Sequence, residues 1–316
     1  MDEFALIDKF FAGEIAPRPD IKLGIGDDAA VTTLGADFDL VIATDTICVG
    51  THFPASMQAR AIGHRCLAVN LSDLAAMGAE PLWCTLVLSL PSGDPDWVAA
   101  FADGFFELAR RFGIVLVGGD TVRGPLAITV TVHGRVKSGN FVTRSGACHA
   151  QGVYVTGHVG ESAAGLRCFG DAEHTIAQER LIHRFLYPEP RIHEGQSLVD
   201  LATAMIDISD GLHADLTRLL KASCVGAELD VGQIPLSSDL LAFTTRESAL
   251  EFALTGGDDY ELCFTMPIER EGELQALLPN WICQPTRIGH TRVSSEIVWS
   301  YNGQAYNVPD TSFHHF

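Results

Sequence analysis

Lysine is almost missing from this 316-residue chain: Lys9, Lys22, Lys137 and Lys221 make up the whole set, against a formal net charge of −19. Neutralising a nucleic-acid backbone takes clustered basic residues, so nucleic acid is excluded as a partner. None of the eight cysteines (Cys48, Cys66, Cys84, Cys148, Cys168, Cys224, Cys263, Cys283) forms a C-x-x-C pair, and several sit in apolar runs, where they read as small core residues. A reducing cytoplasm is the expected location. No basic stretch precedes an apolar segment at the N-terminus, and no uninterrupted apolar run approaches a membrane span, so no membrane partner is expected. Also missing are G-x-x-x-x-G-K-[ST], the H-R-D and D-F-G kinase signatures, a G-x-S-x-G elbow and H-E-x-x-H.

What is present is a globular composition, 47% hydrophobic, long enough for two domains. The first half alternates strands at 40–43, 82–90, 114–117 and 126–136 with helices at 56–77 and 97–112, a mixed α/β pattern. A turn-rich stretch, 137–152, places the boundary near residue 148 and gives domains 1–148 and 149–316. The second half opens with a strand at 153–156. It continues with helices near 162–169, 177–186, 194–205 and 212–222 and strands near 227–229, 261–265 and 288–293.

The chemistry is concentrated in aspartates placed beside glycine, serine or threonine: Asp27 and Asp28, Asp45, Asp73, Asp120, Asp207 and Asp210, Asp258 and Asp259. Carboxylates brought together repel, by roughly 4 kcal/mol per pair at about 4 Å in an effective dielectric near 20. Only Lys22 among the lysines lies near any of them, so hard divalent cations with oxygen ligands are the natural countercharge. Mg²⁺ holding a nucleoside triphosphate is the commonest reason for such a site.

Each motif has a plain alternative. Gly24–Ala29 fits the dinucleotide fingerprint poorly, because two carboxylates inside the turn repel a bare pyrophosphate; a metal-bridged phosphate fits better, and an Asp-rich surface turn is the plain reading. Asp45 follows an apolar strand and is expected at its end, as metal ligand or as cap, with His52 and Phe53 close behind. Asn70 and Asp73 share one face of a helix turn among small apolar residues, where a carboxylate is expensive to bury unless bonded or liganded. Gly118, Gly119 and Asp120 follow another apolar strand, either as a close approach to phosphate or as a tight turn. Arg144 is a candidate for bidentate phosphate contact or a structural ion pair. Asp207, Ser209 and Asp210 open a helix whose amides favour anions. Gly256–Glu261 carries three carboxylates just before a strand.

Taken in order, GIGDDAA (24–30), TDT (44–46), His52 with Phe53, NLSDLAAMGA (70–79), GGDT (118–121), TRSGA (143–147), DISDGL (207–212) and GGDDYELCFT (256–265) closely resemble the thiamine-monophosphate kinase family. That family lies within the superfamily of aminoimidazole ribonucleotide synthetase. The resemblance implies a two-domain α/β (mixed α+β) aminoimidazole ribonucleotide synthetase-like fold that dimerises through its N-terminal sheet, with the active site between the domains. It implies ATP-dependent phosphorylation of thiamine monophosphate, with ATP as co-substrate and several Mg²⁺ ions. By position, Asp28, Thr44, Asp45, Asp73, Asp120, Asp207 and Asp210 match metal ligands, joined by the Ala43 carbonyl where relatives often have serine. Gly119, Asp120, Arg144 and Ser209 match nucleotide contacts, and His52, Asp258 and Phe313 match contacts to thiamine phosphate, Phe313 being preferred to Phe316. Asp45, Asp73, Asp120, Arg144 and Asp207 are the expected catalytic set. The alternatives are another ATP-dependent synthetase of the superfamily and a non-catalytic divalent-metal module. The metal module leaves the turn glycines and Arg144 unexplained.

Overall fold

The computed structural model describes residues 3–11, 18–23, 25 and 30–309; Asp27, Asp28 and Phe313 lie outside them. The chain divides into two compact units, one running through Leu74 and resuming at Ala79–Asn140, the other made of Ala75–Gly78 and Phe141 onward.

The first unit contains α1 (Glu3–Phe10), β1 (Ile21–Leu23), β2 (Val31–Thr32), β3 (Phe38–Cys48), most of α2 (Ala59–Ala76), β4 (Glu80–Leu90), α3 (Pro95–Phe112), β5 (Val115–Arg123) and β6 (Ala127–Lys137). Its main sheet has the order β3-β6-β4-β5. β6 runs antiparallel to both β3 and β4, while β4 and β5 are parallel and joined by the crossover helix α3. Local chemistry sets α3. The Asp94 side chain accepts the Asp96 amide, Pro95 opens the first turn, and Gly113 ends the helix at φ 66. Val98, Phe101, Phe105 and Leu108 recur at three- and four-residue spacing and are buried. On β6, Ile128, Val130, Val132 and Val136 are buried, alternating with half-buried neighbours, as a sheet with one core face requires.

The second unit contains β7 (Gln151–Thr156), α4 (Glu161–Cys168), α5 (Ile176–Leu186), α6 (Ile192–Leu198), β8 (Ala204–Asp207), α7 (Leu212–Ala222), β9 (Gly226–Asp230), α8 (Ser238–Phe243), α9 (Arg246–Thr255), β10 (Leu262–Pro267), α10 (Glu271–Leu277), β11 (Pro285–Arg292), β12 (Ile297–Tyr301) and β13 (Gln304–Ala305). Its seven-stranded sheet has the order β13-β12-β9-β11-β7-β10-β8, antiparallel except for the β9–β12 pair. The core joins Val153, Val155, Ile206, Leu216, Leu219, Leu254 and Ile288.

Three expectations are corrected. The helix expected over 194–205 stops at Leu198, and its tail becomes the fully buried strand β8 paired to β10. A short apolar run carries no period that separates strand from buried helix. Asp45 does not close its strand: β3 continues through Thr46 and Ile47 to Cys48, held residue for residue against β6. Nor does Asp120 close its own. β5 runs on to Arg123, the ladder to β4 resuming at Gly118 after a register shift that leaves Val117 unmatched. Glycines that read as a turn are here pulled into a strand by its neighbour.

Candidate active site

In the first unit the sheet register fixes which acids meet. Asp45 lies opposite Val130 on β6, Val130 opposite Leu86 on β4, and Leu86 opposite Gly119 on β5. Three inter-strand steps separate Asp45 from the Gly119–Asp120 pair, roughly 14 Å at about 4.8 Å per step. Among the described residues the two acids stand on opposite edge strands of this sheet, too far apart within one chain to ligate the same ion.

What does meet Asp45 is α2. The Asn70 Oδ1 accepts the Asp45 amide at 2.9 Å, while the Asn70 Nδ2 donates to the Cys66 carbonyl at 2.9 Å, so a buried amide ties strand to helix. Asp73, one turn further along the same face, is thereby fixed relative to Asp45. The Asp45 and Thr44 side chains are exposed; the Thr44 hydroxyl bonds the Val130 carbonyl at 3.0 Å and the Thr131 hydroxyl at 2.9 Å. Ala43, opposite Val132, offers only its carbonyl. The His52 Nδ1 accepts the Cys48 amide at 3.0 Å, which puts the neutral ring's proton on Nε2. On β5 the exposed Asp120 accepts the amide of Thr121 at 2.9 Å. A Cβ on Gly119 would lie 1.8 Å from the Leu86 carbonyl oxygen, so only glycine brings this strand so close to β4.

In the second unit two turns interlock. The Asp258 amide donates to the Ser209 carbonyl at 2.7 Å, the Tyr260 amide to the Ile208 carbonyl at 2.8 Å, and the Ile208 amide to the Glu261 carbonyl at 2.8 Å. A Cβ on Gly257 would meet the Ser209 carbonyl at 2.5 Å, so glycine is required where the turns touch. The buried Asp207 ends β8; Asp210 is paired with Arg218 at 2.6 Å. Asp215, which sequence reasoning missed, underlies this turn. One of its oxygens accepts the Ser209 and Asp210 amides, both at 2.9 Å, and the other meets Arg218. Burial, with the charges of Asp207 and Asp210 adding to it, pushes its pKa up to about 6. Its only sequence signal is an acid in the first turn of α7.

The three carboxylates of the last motif divide their work. Asp259 is buried and accepts the Gly160 amide at 2.7 Å, anchoring the start of α4; burial raises its pKa. Glu261 is fully buried between Arg191 and Arg184, with the Thr156 hydroxyl donating to it at 2.7 Å. Only Asp258 is half-exposed, at φ 63, a conformation in which aspartate is enriched among non-glycine residues. Arg144 is exposed and makes no ion pair among the described residues, while its carbonyl accepts the Ser223 hydroxyl at 3.0 Å and the Ser223 oxygen accepts the Ala147 amide at 3.1 Å. Ser223 is a second residue that no local pattern exposes.

Among the described residues, no three His, Cys, Asp or Glu side chains gather into a ready-made metal cage. The donor set still fits Mg²⁺, which keeps several waters and binds through one or two carboxylates plus substrate phosphates. Asp45 and Asp120 are exposed oxygen donors on rigid strands.

Comparison with known proteins decides the family. Residues 26–136 match "AIR synthase related protein, N-terminal domain" and residues 141–300 its C-terminal counterpart. The thiamine-monophosphate kinase of Escherichia coli K12 is 42% identical over 321 aligned positions, covering 99% of this chain and 98% of that protein. The chain belongs to the thiamine-monophosphate kinase family. The crystal structure of the Stenotrophomonas maltophilia thiamine-monophosphate kinase superposes with a TM-score of 0.89 at 43% identity, covering 97% and 98% of the two chains. The structure of AaThiL complexed with AMPPCP and TMP superposes with a TM-score of 0.80 at 30% identity, covering 90% and 89%. Both units are therefore domains of the AIR synthase type, mixed α/β with mixed sheets.

Proposed function

We infer that this chain phosphorylates thiamine monophosphate at the expense of ATP, giving thiamine diphosphate and ADP. The observation that carries this is end-to-end identity with thiamine-monophosphate kinases, together with a family structure complexed with AMPPCP and TMP. The acceptor is itself a phosphate, already anionic at neutral pH, so no general base is required; the barrier lies in bringing two polyanions into line. Transfer is direct, without a phosphoenzyme.

Residues 1–148 carry ATP and metal binding, and 149–316 the remaining nucleotide and substrate contacts. Thr44, Asp45, Asp73, Asp120, Asp207 and Asp210, with the Ala43 carbonyl, are the proposed Mg²⁺ ligands among the described residues. Bound Mg²⁺ supplies charge neutralisation between the ATP phosphates and the acceptor. Gly119 gives ATP close access to backbone, Ser209 lies in a turn whose amides Asp215 holds, and Arg144, with no ion pair among the described residues, offers its guanidinium to phosphate oxygens. His52 and Asp258 contact thiamine monophosphate. A carboxyl side chain such as Asp258 suits the cationic, amine-bearing heterocycles of the substrate better than its phosphate.

The chain works as a homodimer. Both β3 and β5 are edge strands among the described residues, long ones, with Leu40, Ile42 and Val122 exposed on them. Such edges invite pairing with another chain. Pairing β3 of one copy beside β5 of another, in the register that sets Asp45 opposite Asp120, brings the two acids within a single strand spacing, which the single chain does not achieve. The cytoplasm suits the eight free cysteines.

The test is ADP release from ATP and Mg²⁺ with thiamine monophosphate, against thiamine and no acceptor, for the wild type, Asp45→Asn and Asp207→Asn. Turnover with the monophosphate alone, reduced more than about 100-fold in both variants, is expected from loss of transition-state charge stabilisation. Turnover with thiamine, or full activity in either variant, contradicts the assignment.

A further inference from the structure

The turn at 256–261 contains two non-glycine residues in the left-handed region, Asp258 at φ 63 and Tyr260 at φ 52. For aspartate that conformation is tolerated; for a bulky aromatic it is a genuine outlier. Such strain persists only where surroundings over-determine it, and it clusters at functional sites. Here the surroundings are specific. Asp259, between the two, is buried and locked to the Gly160 amide; the Asp258 and Tyr260 amides are bonded to the Ser209 and Ile208 carbonyls; Glu261 beyond is clamped by two arginines.

This framework turns the Tyr260 ring so that its hydroxyl donates to the Asp258 Oδ1 at 2.9 Å. The ring itself is buried, 8% exposed, so the hydroxyl is delivered by a side chain that has little freedom to move. The phenol O–H donates, and a carboxylate offers about four acceptor sites, of which this bond takes one. The pairing therefore orients the carboxylate while taking a single acceptor site.

We propose that Tyr260 is a positioning residue for substrate recognition: its hydroxyl holds the Asp258 carboxylate in the orientation that receives the heterocyclic end of thiamine monophosphate. The inference rests on the reading of Asp258 as a substrate contact, and goes beyond it by naming the group that sets its geometry. Orienting a recognition group before the ligand arrives removes an ordering cost from binding. The effect belongs in affinity for the acceptor, with the ATP site and the transfer step untouched.

The experiment is steady-state kinetics of Tyr260→Phe, Asp258→Ala and the double variant, varying thiamine monophosphate and ATP separately. Tyr260→Phe removes one oxygen and keeps the ring that fills the turn. Its KM for thiamine monophosphate is expected to rise about tenfold, the size of one hydrogen bond to a charged group, with kcat and the KM for ATP within about twofold of wild type. With Asp258→Ala already present, Tyr260→Phe adds nothing, because the group it positions is gone. If Asp258→Ala raises the acceptor KM while Tyr260→Phe does not, the positioning role is refuted and the contact stands. If the two effects simply add, Tyr260 acts independently of Asp258 and the proposal is likewise refuted. If Asp258→Ala leaves the acceptor KM unchanged, the underlying contact is wrong and the proposal falls with it.

Discussion

Glu261→Gln removes a charge from the most enclosed ion cluster of the second unit. Glu261 is fully buried and Arg191 is 5% exposed, and the Arg191 Nε and Nη2 each donate to one oxygen of the Glu261 carboxylate. Arg184, a quarter exposed, has a second partner in Glu161 at 3.1 Å and can turn toward water when Glu261 is neutralised. Arg191 cannot. Burial works against its charge and Glu261 more than offsets that, holding its pKa above the usual value. Breaking a buried pair while leaving one charge in place costs about 3–5 kcal/mol, whereas replacing both members by apolar side chains of similar volume is often neutral or better. Glu261→Gln is therefore expected to destabilise the second unit by about 4 kcal/mol and lower its Tm by roughly 8–16 °C at about 2–4 °C per kcal/mol. Glu261→Leu combined with Arg191→Met should recover most of that loss. Guanidinium unfolding followed by tryptophan fluorescence reads both, since Trp281 and Trp299 belong to this unit. A single variant costing under about 1 kcal/mol, or a double variant no better than the single, refutes the uncompensated-charge argument.

Two further outcomes follow from the site geometry. Asn70→Ala leaves the Asp45 amide and the Cys66 carbonyl without the side chain that joins them; stability should fall by about 1–3 kcal/mol in urea titration, and the Mg²⁺ concentration giving half-maximal ADP release should rise. Unchanged Mg²⁺ dependence would show that this tie does not position Asp45. Arg144→Ala removes an exposed side chain with no ion-pair partner among the described residues, so Tm should stay within about 1 °C while the KM for ATP rises about tenfold. A lowered Tm with normal ATP kinetics would make it a structural residue instead.

Much of this was legible in the sequence because the signals were local. The helices expected at 56–77 and 97–112 lie within a few residues of α2 and α3, and the Asn70–Asp73 spacing puts both on one helix face. The motifs that pointed to the family were contiguous, and relatives match along the whole chain. What failed was whatever depends on a neighbour in space. Gly118–Thr121 reads as a phosphate approach or a turn until β4 is laid beside it, and 204–205 reads as the end of a helix until β10 claims 204–207. Asp45 and Asp120 look alike in sequence, yet register sets them on opposite edges of a sheet. Of the carboxylates at 258, 259 and 261, spacing alone does not reveal that two are spent inside the fold. Ser223 and Arg191 act on residues 79 and 70 positions away, distances at which no pattern in one sequence speaks, while Asp215 acts on Asp210 five positions away with only an acid in the first turn of α7 to mark it.

The interlocked turns at 207–211 and 256–261 also bear on how this chain can change through time. The last bond between them, from the Ile208 amide to the Glu261 carbonyl, leads straight into the pairing of Leu262 with Asp207 that starts the β10–β8 ladder. One residue inserted at 258–261 would put the bonds to Ile208 and Ser209 out of step with the pairing of Leu262 and Asp207, so that turn and ladder could not both keep their partners. Several side chains in these turns are already committed, Gly257 to the contact between them and Asp259 and Glu261 to the fold, and the lengths of the turns are fixed as well. Insertions and deletions should therefore accumulate elsewhere in descendants of this chain, leaving these two segments at constant spacing.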